Sequence, residues 1–250
     1  MGNSRLIGVG VGPGDPELVT VKGVNCLRAA DVVVVPVMAA SDGTDGGERG
    51  RAEATVLHYV SEDKVVRVVF ALNERSDRAR REAAWDAAGA RVAELLRTHG
   101  TVAFATIGDP NVYSTFTYLA QTITDAVPGT VVETVPGITA MQDLAARSGA
   151  VLTEGTEPLT LVPVTAGAGA LKDALNGPGT VVAYKFGRQA QEVAAALRET
   201  GRLDDAVWGS ALGLPEESIR PAAELDGATL PYLSTLIAPA RRDGGRGGKL

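Results

Sequence analysis

The sequence is poor in the residues that usually hold metals and disulfides. Its 250 residues include a single cysteine, Cys26, and two histidines, His58 and His99. One cysteine excludes an internal disulfide, and the cysteine and histidines lack the spacing of a zinc site, so we predict no metal cofactor. Cys26 lies beside Leu27 in a helical pattern, which favours a buried structural thiol over a nucleophile.

Long apolar runs and an excess of positive charge are also missing. No apolar run approaches the roughly 20 residues of a membrane span, and residues 1–6 lack the basic and apolar regions of a signal peptide. The formal net charge of −6 argues against broad nucleic-acid binding. The length allows two α/β lobes or one large domain. We therefore expect a cytoplasmic globular protein that binds neither membranes nor nucleic acids.

Glycine is concentrated in residues 6–17, which read L-I-G-V-G-V-G-P-G-D-P-E. This stretch predicts a buried strand that ends in a tight turn, where the backbone can approach a small-molecule ligand closely. The spacing matches neither the G-x-G-x-x-G dinucleotide motif nor a phosphate loop. The second apolar run ends in Pro36 and lacks the acid that holds a ribose in dinucleotide-binding folds. A strand-to-helix turn without a ligand is the alternative interpretation.

Strand and helix patterns alternate along the chain, which indicates an α/β fold with parallel strands. In a first lobe, residues 1–127, we predict strands near residues 5–9, 31–35, 65–69 and 101–106 and helices near residues 20–29, 52–59 and 77–98. In a second lobe, residues 128–240, we predict strands near residues 131–135, 159–164, 180–183, 205–212 and 232–238 and helices near residues 138–148 and 189–200. We expect residues 241–250 to form a disordered tail.

Two polar segments of the first lobe have more than one interpretation. The glycine-rich residues 39–50 predict a surface loop, which is either a tolerated insertion or a lid over a substrate cleft. Four arginines open the helix near residues 77–98, namely Arg75, Arg78, Arg80 and Arg81. Because a helix dipole prefers acids at its start, this basic run is either a solvated face or a carboxylate-binding patch.

Three further stretches repeat the pattern of a strand followed by a glycine turn. Residues 105–115 read A-T-I-G-D-P-N-V-Y-S-T, residues 135–140 read V-P-G-I-T-A, and residues 183–188 read A-Y-K-F-G-R. In an open parallel sheet, ligands bind beyond the carboxyl ends of the strands, where such turns converge. We expect the four turns to line one crevice.

Together these stretches resemble the tetrapyrrole methylases, which methylate ring carbons of cobalamin precursors. The resemblance rests on residues 10–23, G-V-G-P-G-D-P-E-L-V-T-V-K-G, on A-D-V-V-V-V-P at 30–36, on G-D-P-N-V-Y-S-T at 108–115 and on V-P-G-I-T-A. It implies a two-lobed α/β fold, in which each lobe is a mixed, mostly parallel sheet flanked by helices, with the active-site cleft between the lobes. It also implies S-adenosylmethionine as methyl donor, S-adenosylhomocysteine as product, a tetrapyrrole substrate and a homodimer.

Within the family, the chain most resembles the precorrin-2 C20-methyltransferases. The shared features are the V-V-V-P strand end, Y-S-T-F-T-Y-L at residues 113–119 and Y-K-F-G-R at residues 184–188. Uroporphyrinogen methyltransferases instead have an acid where Pro36 stands. The resemblance implies methylation of C20 of precorrin-2, or of its cobalt-containing counterpart, in cobalamin biosynthesis. Methylation of another ring position stays open, as does a non-catalytic tetrapyrrole-binding carrier.

The resemblance also implies which residues contact the cofactor. These residues lie in the four turns and are Pro13, Ile107, Gly108, Asp109, Val112, Ser114, Thr115, Thr139, Ala140, Tyr184 and Lys185. Backbone groups and hydroxyls among them suit the amino-acid and ribose parts, and Val112 and Ala140 suit the adenine. Asp109 has a second interpretation as a helix N-cap.

Methyl transfer from a sulfonium requires alignment of the acceptor carbon and then removal of its proton. Candidate bases are Asp15, Glu17, Asp109 and Tyr113, and of these we name Asp15, as first choice, and Tyr113 as catalytic candidates. The substrate bears several carboxylates, so basic side chains should bind it. The candidates for this role are Lys22, Arg75, Arg78, Arg147, Lys185 and Arg188.

Overall fold

The chain folds into two compact units, residues Met1–Thr139 and Ala140–Leu250. The computed structural model describes residues 4–38, 49–70, 78–165, 167–225 and 230–242. We predicted a disordered tail over residues 241–250. Arg241 and Arg242 of this segment are described, and they donate to the Gly201 carbonyl and the Glu157 carboxylate. The rest of the predicted tail, residues 243–250, lies outside the described residues, and so do residues 39–48 of the predicted loop.

The first unit contains five strands and four α-helices within its described residues. The strands are β1 (Arg5–Gly10), β2 (Val32–Val37), β3 (Val65–Val69), β4 (Thr101–Thr106) and β5 (Val131–Val135). The helices are α1 (Val21–Ala29), α2 (Arg51–Val56), α3 (Arg78–His99) and α4 (Phe116–Ala126), and short 3₁₀ helices occupy Pro16–Leu18 and Glu62–Lys64. The strands and the first three helices confirm the predicted elements, with small differences at the ends.

The five strands form one parallel sheet in the order β3-β2-β4-β1-β5. Alternating side chains on the strands build two apolar clusters, one on each face. Ile7 and Val9 of β1 pack in the cluster that also holds α1 and α2 residues, whereas Leu6 packs with α3 and α4. Gly8 leaves room on the second face, because a Cβ there would lie 2.6 Å from the Phe116 ring.

The second unit contains five strands and three α-helices within its described residues. The strands are β6 (Leu159–Pro163), β7 (Thr180–Tyr184), β8 (Val207–Ser210), β9 (Ser218–Pro221) and β10 (Ser234–Ala238). The helices are α5 (Ala140–Ser148), α6 (Gly169–Leu175) and α7 (Ala190–Glu199). The sheet order is β6-β7-β10-β8-β9. The α/β class of both units is confirmed.

Three features of the second unit differ from the predictions. Only β6 and β7 pair in parallel, and the other three strand pairs are antiparallel, so a mostly parallel sheet is correct for the first unit alone. β9 and α6 were not predicted, because both are short and weakly apolar. We placed the lobe boundary after residue 127, but β5 pairs with β1, and the compact units divide after Thr139.

A buried arginine organises the interior of the second unit. Arg202 is only 4% exposed. Its guanidinium donates to the carbonyl oxygens of Leu175, Gly179 and Ala238, each at 3.0 Å. Burial lowers the pKa of Arg202, but a guanidinium stays protonated at neutral pH. One side chain therefore joins the end of α6, the start of β7 and the end of β10.

Candidate functional site

The connections of the first sheet diverge at the carboxyl ends of β1 and β4. The chain leaves β1 for α1 on one face and leaves β4 for α4 on the opposite face. β1 and β4 are neighbours in the sheet. In open parallel sheets, a crevice forms where neighbouring connections part to opposite faces, and ligands bind there. The turns after β1 (residues 11–15), β4 (107–115) and β5 (136–139) therefore define the candidate site of this unit.

The β1 and β4 turns are joined through their backbones. Val11 N–H donates to the Thr106 carbonyl at 2.9 Å, and Gly108 N–H donates to the Gly12 carbonyl at 2.8 Å. Gly12 and Gly108 have φ angles of 76° and 71°, which glycine adopts without the strain of a side chain. These bonds set the relative position of the two turns.

Gly10 and Gly137 let the β5 turn approach the other two. A Cβ on Gly137 would lie 2.1 Å from the Gly108 carbonyl oxygen, and one on Gly10 would lie 2.6 Å from the Gly137 Cα. A side chain at either position would push the turns apart. Both glycines stand in motifs singled out above, yet neither was assigned to the site. The recurrence of glycine after each strand is the sequence signal that could have assigned both residues to the site.

Gly108 differs from Gly10 and Gly137 because the space beside it is open. A Cβ at Gly108 would meet only the Thr139 Cα, at 3.9 Å. Open space therefore lies next to the backbone of Gly108. The residue that borders this space is Thr139, which is only 5% exposed. This is the arrangement that a small ligand needs in order to contact backbone groups directly.

Asp109 links two turns through both carboxylate oxygens. Oδ1 accepts the Asn111 N–H at 2.8 Å, and Oδ2 accepts the Gly137 N–H at 3.0 Å. The Asn111 side chain adds a second link by donating to the Thr134 hydroxyl at 3.3 Å. The interpretation of Asp109 as a helix N-cap is wrong, since α4 begins at Phe116. Its carboxylate instead holds the β5 turn against the β4 turn.

The hydroxyl of Ser114 is used to start α4. Ser114 Oγ accepts the Phe116 N–H at 3.1 Å and shares a hydrogen bond with the Thr106 hydroxyl at 3.0 Å. Thr115 occupies the N-cap position with helical φ and ψ and makes no side-chain cap bond. Ile107 and Val112 are partly buried beside these residues. The predicted residues 107–115 therefore form one continuous turn at the sheet edge.

The β1 turn is held by residues of α2 and the segment after it. Pro13 is buried, and the Gly14 carbonyl accepts the Thr55 hydroxyl at 3.4 Å. The Tyr59 hydroxyl donates to the Pro16 carbonyl. Asp15 is half-buried, and its Oδ1 accepts the Glu17 N–H at 2.9 Å, which caps the short helix Pro16–Leu18. Asp15 therefore has a fixed position in the β1 turn.

Tyr113 has an unusual backbone conformation at the tip of the β4 turn. Its φ is 51°, a left-handed value that costs a tyrosine conformational energy, and 42% of the residue is exposed. Burial raises the pKa of its phenol above the ordinary value. A phenol with a raised pKa donates hydrogen bonds at neutral pH and is a poor proton acceptor.

The remaining predicted cofactor residues lie in the second unit. Ala140 is the first residue of α5, and Tyr184 is the last residue of β7. Lys185 follows with φ of 60°, and its N–H donates to the Ser234 carbonyl at 3.1 Å. Its Nζ lies 5.9 Å from the centroid of the Tyr232 ring. The structure thus brings eight of the predicted cofactor residues together in the first unit and places these three in the second.

The candidate substrate-binding cations have different surroundings. Arg147 donates from Nε to Asp143 at 2.7 Å and also contacts Glu217, so its charge is already compensated. Lys22 and Arg188 are exposed. Arg75 lies outside the described residues, and of Arg78 only the backbone is described.

Two features of the described residues bear on the class of function. No group of three or more His, Cys, Asp or Glu side chains there could hold a metal ion. No helix among those residues has the length and apolarity to cross a membrane.

Comparison with known proteins adds independent information. The profile of the tetrapyrrole (corrin/porphyrin) methylases matches residues 5–226. Precorrin-2 C(20)-methyltransferase of Sinorhizobium sp is 32% identical over 97% of this chain and 98% of its own length. Cobalt-precorrin-2 C(20)-methyltransferase of Salmonella typhimurium is 31% identical over 94% of this chain and 96% of its own length.

A solved structure also has the same fold. Uroporphyrin-III C-methyltransferase from Thermus thermophilus, complexed with S-adenyl homocysteine, superimposes with a TM-score of 0.64. The match covers 94% of this chain and 97% of that chain at 22% sequence identity.

Proposed function

The chain belongs to the tetrapyrrole (corrin/porphyrin) methylase family, and we propose that it methylates C20 of precorrin-2 or cobalt-precorrin-2 in cobalamin biosynthesis, with S-adenosylmethionine as donor. The observation that carries this proposal is the 32% identity to a precorrin-2 C(20)-methyltransferase over 97% of the chain. The site geometry supports it, because three glycine turns meet at the divergence of the sheet connections.

The residues of the first unit fit a nucleoside-type cofactor. Open space lies beside the bare backbone of Gly108, and the Thr139 side chain is buried next to it. We propose that Pro13, residues 107–109, Val112, Ser114, Thr115 and Thr139 hold S-adenosylmethionine from this unit and that Ala140, Tyr184 and Lys185 complete its site. The cofactor supplies a methyl group already activated on a sulfonium sulfur, and S-adenosylhomocysteine is released.

The contribution of the chain is then mainly positional. Holding a ring carbon in line with an activated methyl group lowers the barrier by up to roughly 7 to 11 kcal/mol in the best intramolecular systems. The backbone links between the β1, β4 and β5 turns serve this role, because they leave little freedom in the residues around Gly108.

The acceptor carbon must lose a proton after methylation, and we propose Asp15 rather than Tyr113 as the proton acceptor. A carboxylate accepts protons at neutral pH, whereas burial raises the pKa of the Tyr113 phenol. Tyr113 can instead donate a hydrogen bond to the substrate. Asp15→Asn should lower kcat while leaving the affinity for S-adenosylhomocysteine unchanged, and an unchanged kcat would contradict the assignment.

The test of the proposed function is an anaerobic incubation of the protein with S-adenosylmethionine labelled with carbon-13 in its methyl group. Precorrin-2 and cobalt-precorrin-2 are supplied in parallel reactions, and products are analysed by mass spectrometry and carbon NMR. A single labelled methyl on C20 is the expected result, and the relative rates decide between the two substrates. A labelled methyl on another ring carbon would agree with the family assignment but contradict methylation at C20.

A non-catalytic tetrapyrrole carrier is the alternative from another class. The complete set of glycine and hydroxyl residues around Gly108 and Thr139 favours an enzyme, because a carrier has no need of a methyl-donor site. Stoichiometric tetrapyrrole binding without methyl transfer to either substrate would favour the carrier.

We also propose a homodimer, which the family resemblance implies, and a cytoplasmic location. Size-exclusion chromatography with light scattering tests the first, since a dimer should have twice the 25.8 kDa mass of the chain. Fractionation of the producing cells tests the second.

A further inference from the structure

An aromatic stack lies beside the β4 turn on the surface of the first unit. The rings of Trp85 in α3 and Tyr118 in α4 are stacked with centroids 4.8 Å apart and planes 11° from parallel. The guanidinium carbon of Arg81 lies 5.6 Å from the centroid of the Trp85 ring. Tyr118 remains 50% exposed, so the stack borders solvent. Among the described residues, the contact that positions the Arg81 guanidinium is thus this aromatic surface.

The register of α3 against α4 places this stack at the candidate site. One turn after Trp85, a Cβ on Gly89 would lie 2.5 Å from the side chain of Thr122, which is one turn after Tyr118. The two helices therefore run parallel in close contact, as expected after parallel strands. Tyr118 lies in the first turn of α4, directly after the β4 turn. Arg81, one turn before Trp85, is consequently level with the start of α4.

Arg81 is one of the arginines that open α3, and its charge is not compensated within the described residues. Further along the same helix, Arg91 binds the Glu94 carboxylate, and Arg97 donates to the Ala126 carbonyl. Arg81 has neither kind of partner within the described part of the chain. A basic residue near a helix N-terminus is also unfavourable for the helix dipole. A guanidinium that stacks through its face can still donate hydrogen bonds from the N–H groups at its edge. Two of these N–H groups can bind one carboxylate in a bidentate pair.

We propose that Arg81, positioned by the Trp85–Tyr118 stack, binds a carboxylate of the tetrapyrrole and contributes to substrate specificity. This inference rests on the proposed function, and for Arg81 it decides between the two interpretations that the sequence left open, a solvated face and a carboxylate-binding patch. The chain has a net charge of −6, so an anionic substrate needs a local cation to approach the site. Arg81 supplies that cation next to the turn that we assign to the cofactor.

The experiment compares wild-type protein with Arg81→Ala, Arg81→Lys and the matched control Arg91→Ala on the same helix. Initial rates with precorrin-2 give KM and kcat, and calorimetry gives the Kd for S-adenosylhomocysteine. Loss of the charged contact in Arg81→Ala should raise KM roughly tenfold or more while the cofactor Kd stays unchanged. Arg81→Lys should raise KM less, because lysine keeps the positive charge but cannot form the bidentate hydrogen bond of a guanidinium. Arg91→Ala should match the wild type.

A second measurement does not depend on turnover. In a Trp208→Phe background, Trp85 is the sole tryptophan, and quenching of its fluorescence reports binding beside it. Wild-type protein should bind uroporphyrin, which carries carboxylates, more tightly than its methyl ester. Arg81→Ala should lose this preference, which a general structural effect of the substitution would not explain.

The outcomes separate this inference from the function on which it rests. An active Arg81→Ala variant with KM within about twofold of wild type, or an equal KM increase in Arg91→Ala, would overturn the inference alone. Wild-type protein that methylates neither precorrin-2 nor cobalt-precorrin-2 and does not bind uroporphyrin would overturn the proposed function, and the role of Arg81 with it.

Discussion

The two units secure the ends of their strands by different means. In the first unit, the turns after β1, β4 and β5 meet through backbone contacts that depend on glycine, such as the approach of Gly137 to the Gly108 carbonyl. In the second unit, the buried guanidinium of Arg202 gathers carbonyl oxygens from three segments. A side chain added at the glycine contacts of the first unit should therefore disrupt them. In the second unit, loss of the Arg202 guanidinium should leave its carbonyl partners without a donor.

This difference agrees with the proposed role of the first-unit turns in holding the cofactor. Where glycines make the contacts, backbone without side chains can lie next to open space, as it does beside Gly108. A cofactor can then bind at the point where the three turns meet. The guanidinium of Arg202 is surrounded by its own chain and is 4% exposed, so its function is to hold the fold. Substitutions in the turns after β1, β4 and β5 should therefore alter ligand binding, and substitutions at Arg202 should alter stability.

Each unit contains one of the two tryptophans of the chain, Trp85 in α3 and Trp208 in β8. Variants with Trp85→Phe or Trp208→Phe retain one fluorescent reporter each. Urea unfolding of these variants can follow the two units separately, which matters because a chain of two units need not unfold in one step.

The largest effect is expected for Arg202→Ala. It leaves buried carbonyl oxygens of Leu175, Gly179 and Ala238 without their donor, which should lower the free energy of unfolding of the second unit by about 4 kcal/mol. The transition reported by Trp208 should move to lower urea, and the one reported by Trp85 should change less. The control is Arg241→Ala, an exposed arginine that donates to the Gly201 carbonyl at 3.2 Å and should cost less than about 1 kcal/mol. Equal losses in both variants would contradict the special role of Arg202.

Gly137→Ala should have the next largest effect. The added Cβ would lie 2.1 Å from the Gly108 carbonyl oxygen, which should destabilise the first unit by about 3 kcal/mol and abolish binding of S-adenosylhomocysteine. Trp85 fluorescence and calorimetry measure the two effects. Gly129→Ala is the control, because φ there is 88° but no atom lies within 4 Å, so only conformational strain of about 1 kcal/mol is expected. Normal cofactor binding by Gly137→Ala would show that the turns need not touch.

Asp109→Ala should have an intermediate effect. It removes the acceptor for the Asn111 and Gly137 N–H groups, which should cost about 2 kcal/mol of stability and weaken S-adenosylhomocysteine binding about tenfold. Asp31→Ala is a matched control, because Asp31 Oδ2 accepts the Thr101 N–H at 2.8 Å at the opposite end of the sheet. The control should lose stability without losing cofactor affinity. Loss of affinity in both variants would mean that the effect of Asp109 is not local to the turns.

The smallest effect concerns Tyr113 and pH. Burial raises the pKa of its phenol, so the folded state should keep the proton to higher pH than the ordinary value of about 10. The stabilisation associated with this shift is present below that value and is lost as pH rises through the folded pKa. Ultraviolet titration of wild type against Tyr113→Phe should show no ionisation of this residue below about pH 10. A phenol that ionises near neutral pH would restore Tyr113 as the candidate base.

The predicted elements of the first unit agree well with the structure because their signals are local. Runs such as Val32–Val37 and Thr101–Thr106 are apolar and are bounded by turn residues, and Thr20 accepts the Gly23 N–H at 3.0 Å at the start of α1. β9 and α6 escaped prediction because Ser218–Pro221 and Gly169–Leu175 are short and mixed in polarity. Short segments of this kind obtain their structure from their neighbours.

Pairing between distant segments could not be predicted from local patterns. The apolar character of Val131–Val135 predicts a strand whether it pairs with β1 or with a strand of the second unit, and only the fold selects β1. The same holds for Asp109, whose sequence context suits a helix cap or a ligand contact. Its bond to the Gly137 N–H joins residues that are 28 positions apart.

The sequence by itself determined the α/β class, the position of the glycine turns and the family, because apolar periodicity, glycine and short motifs are read along the chain. The tertiary structure alone decided that β5 joins the first sheet, that Gly10 and Gly137 touch, and that Arg81 lies over Trp85. The physical reason is that these contacts depend on distances between segments far apart in the chain, and packing sets those distances.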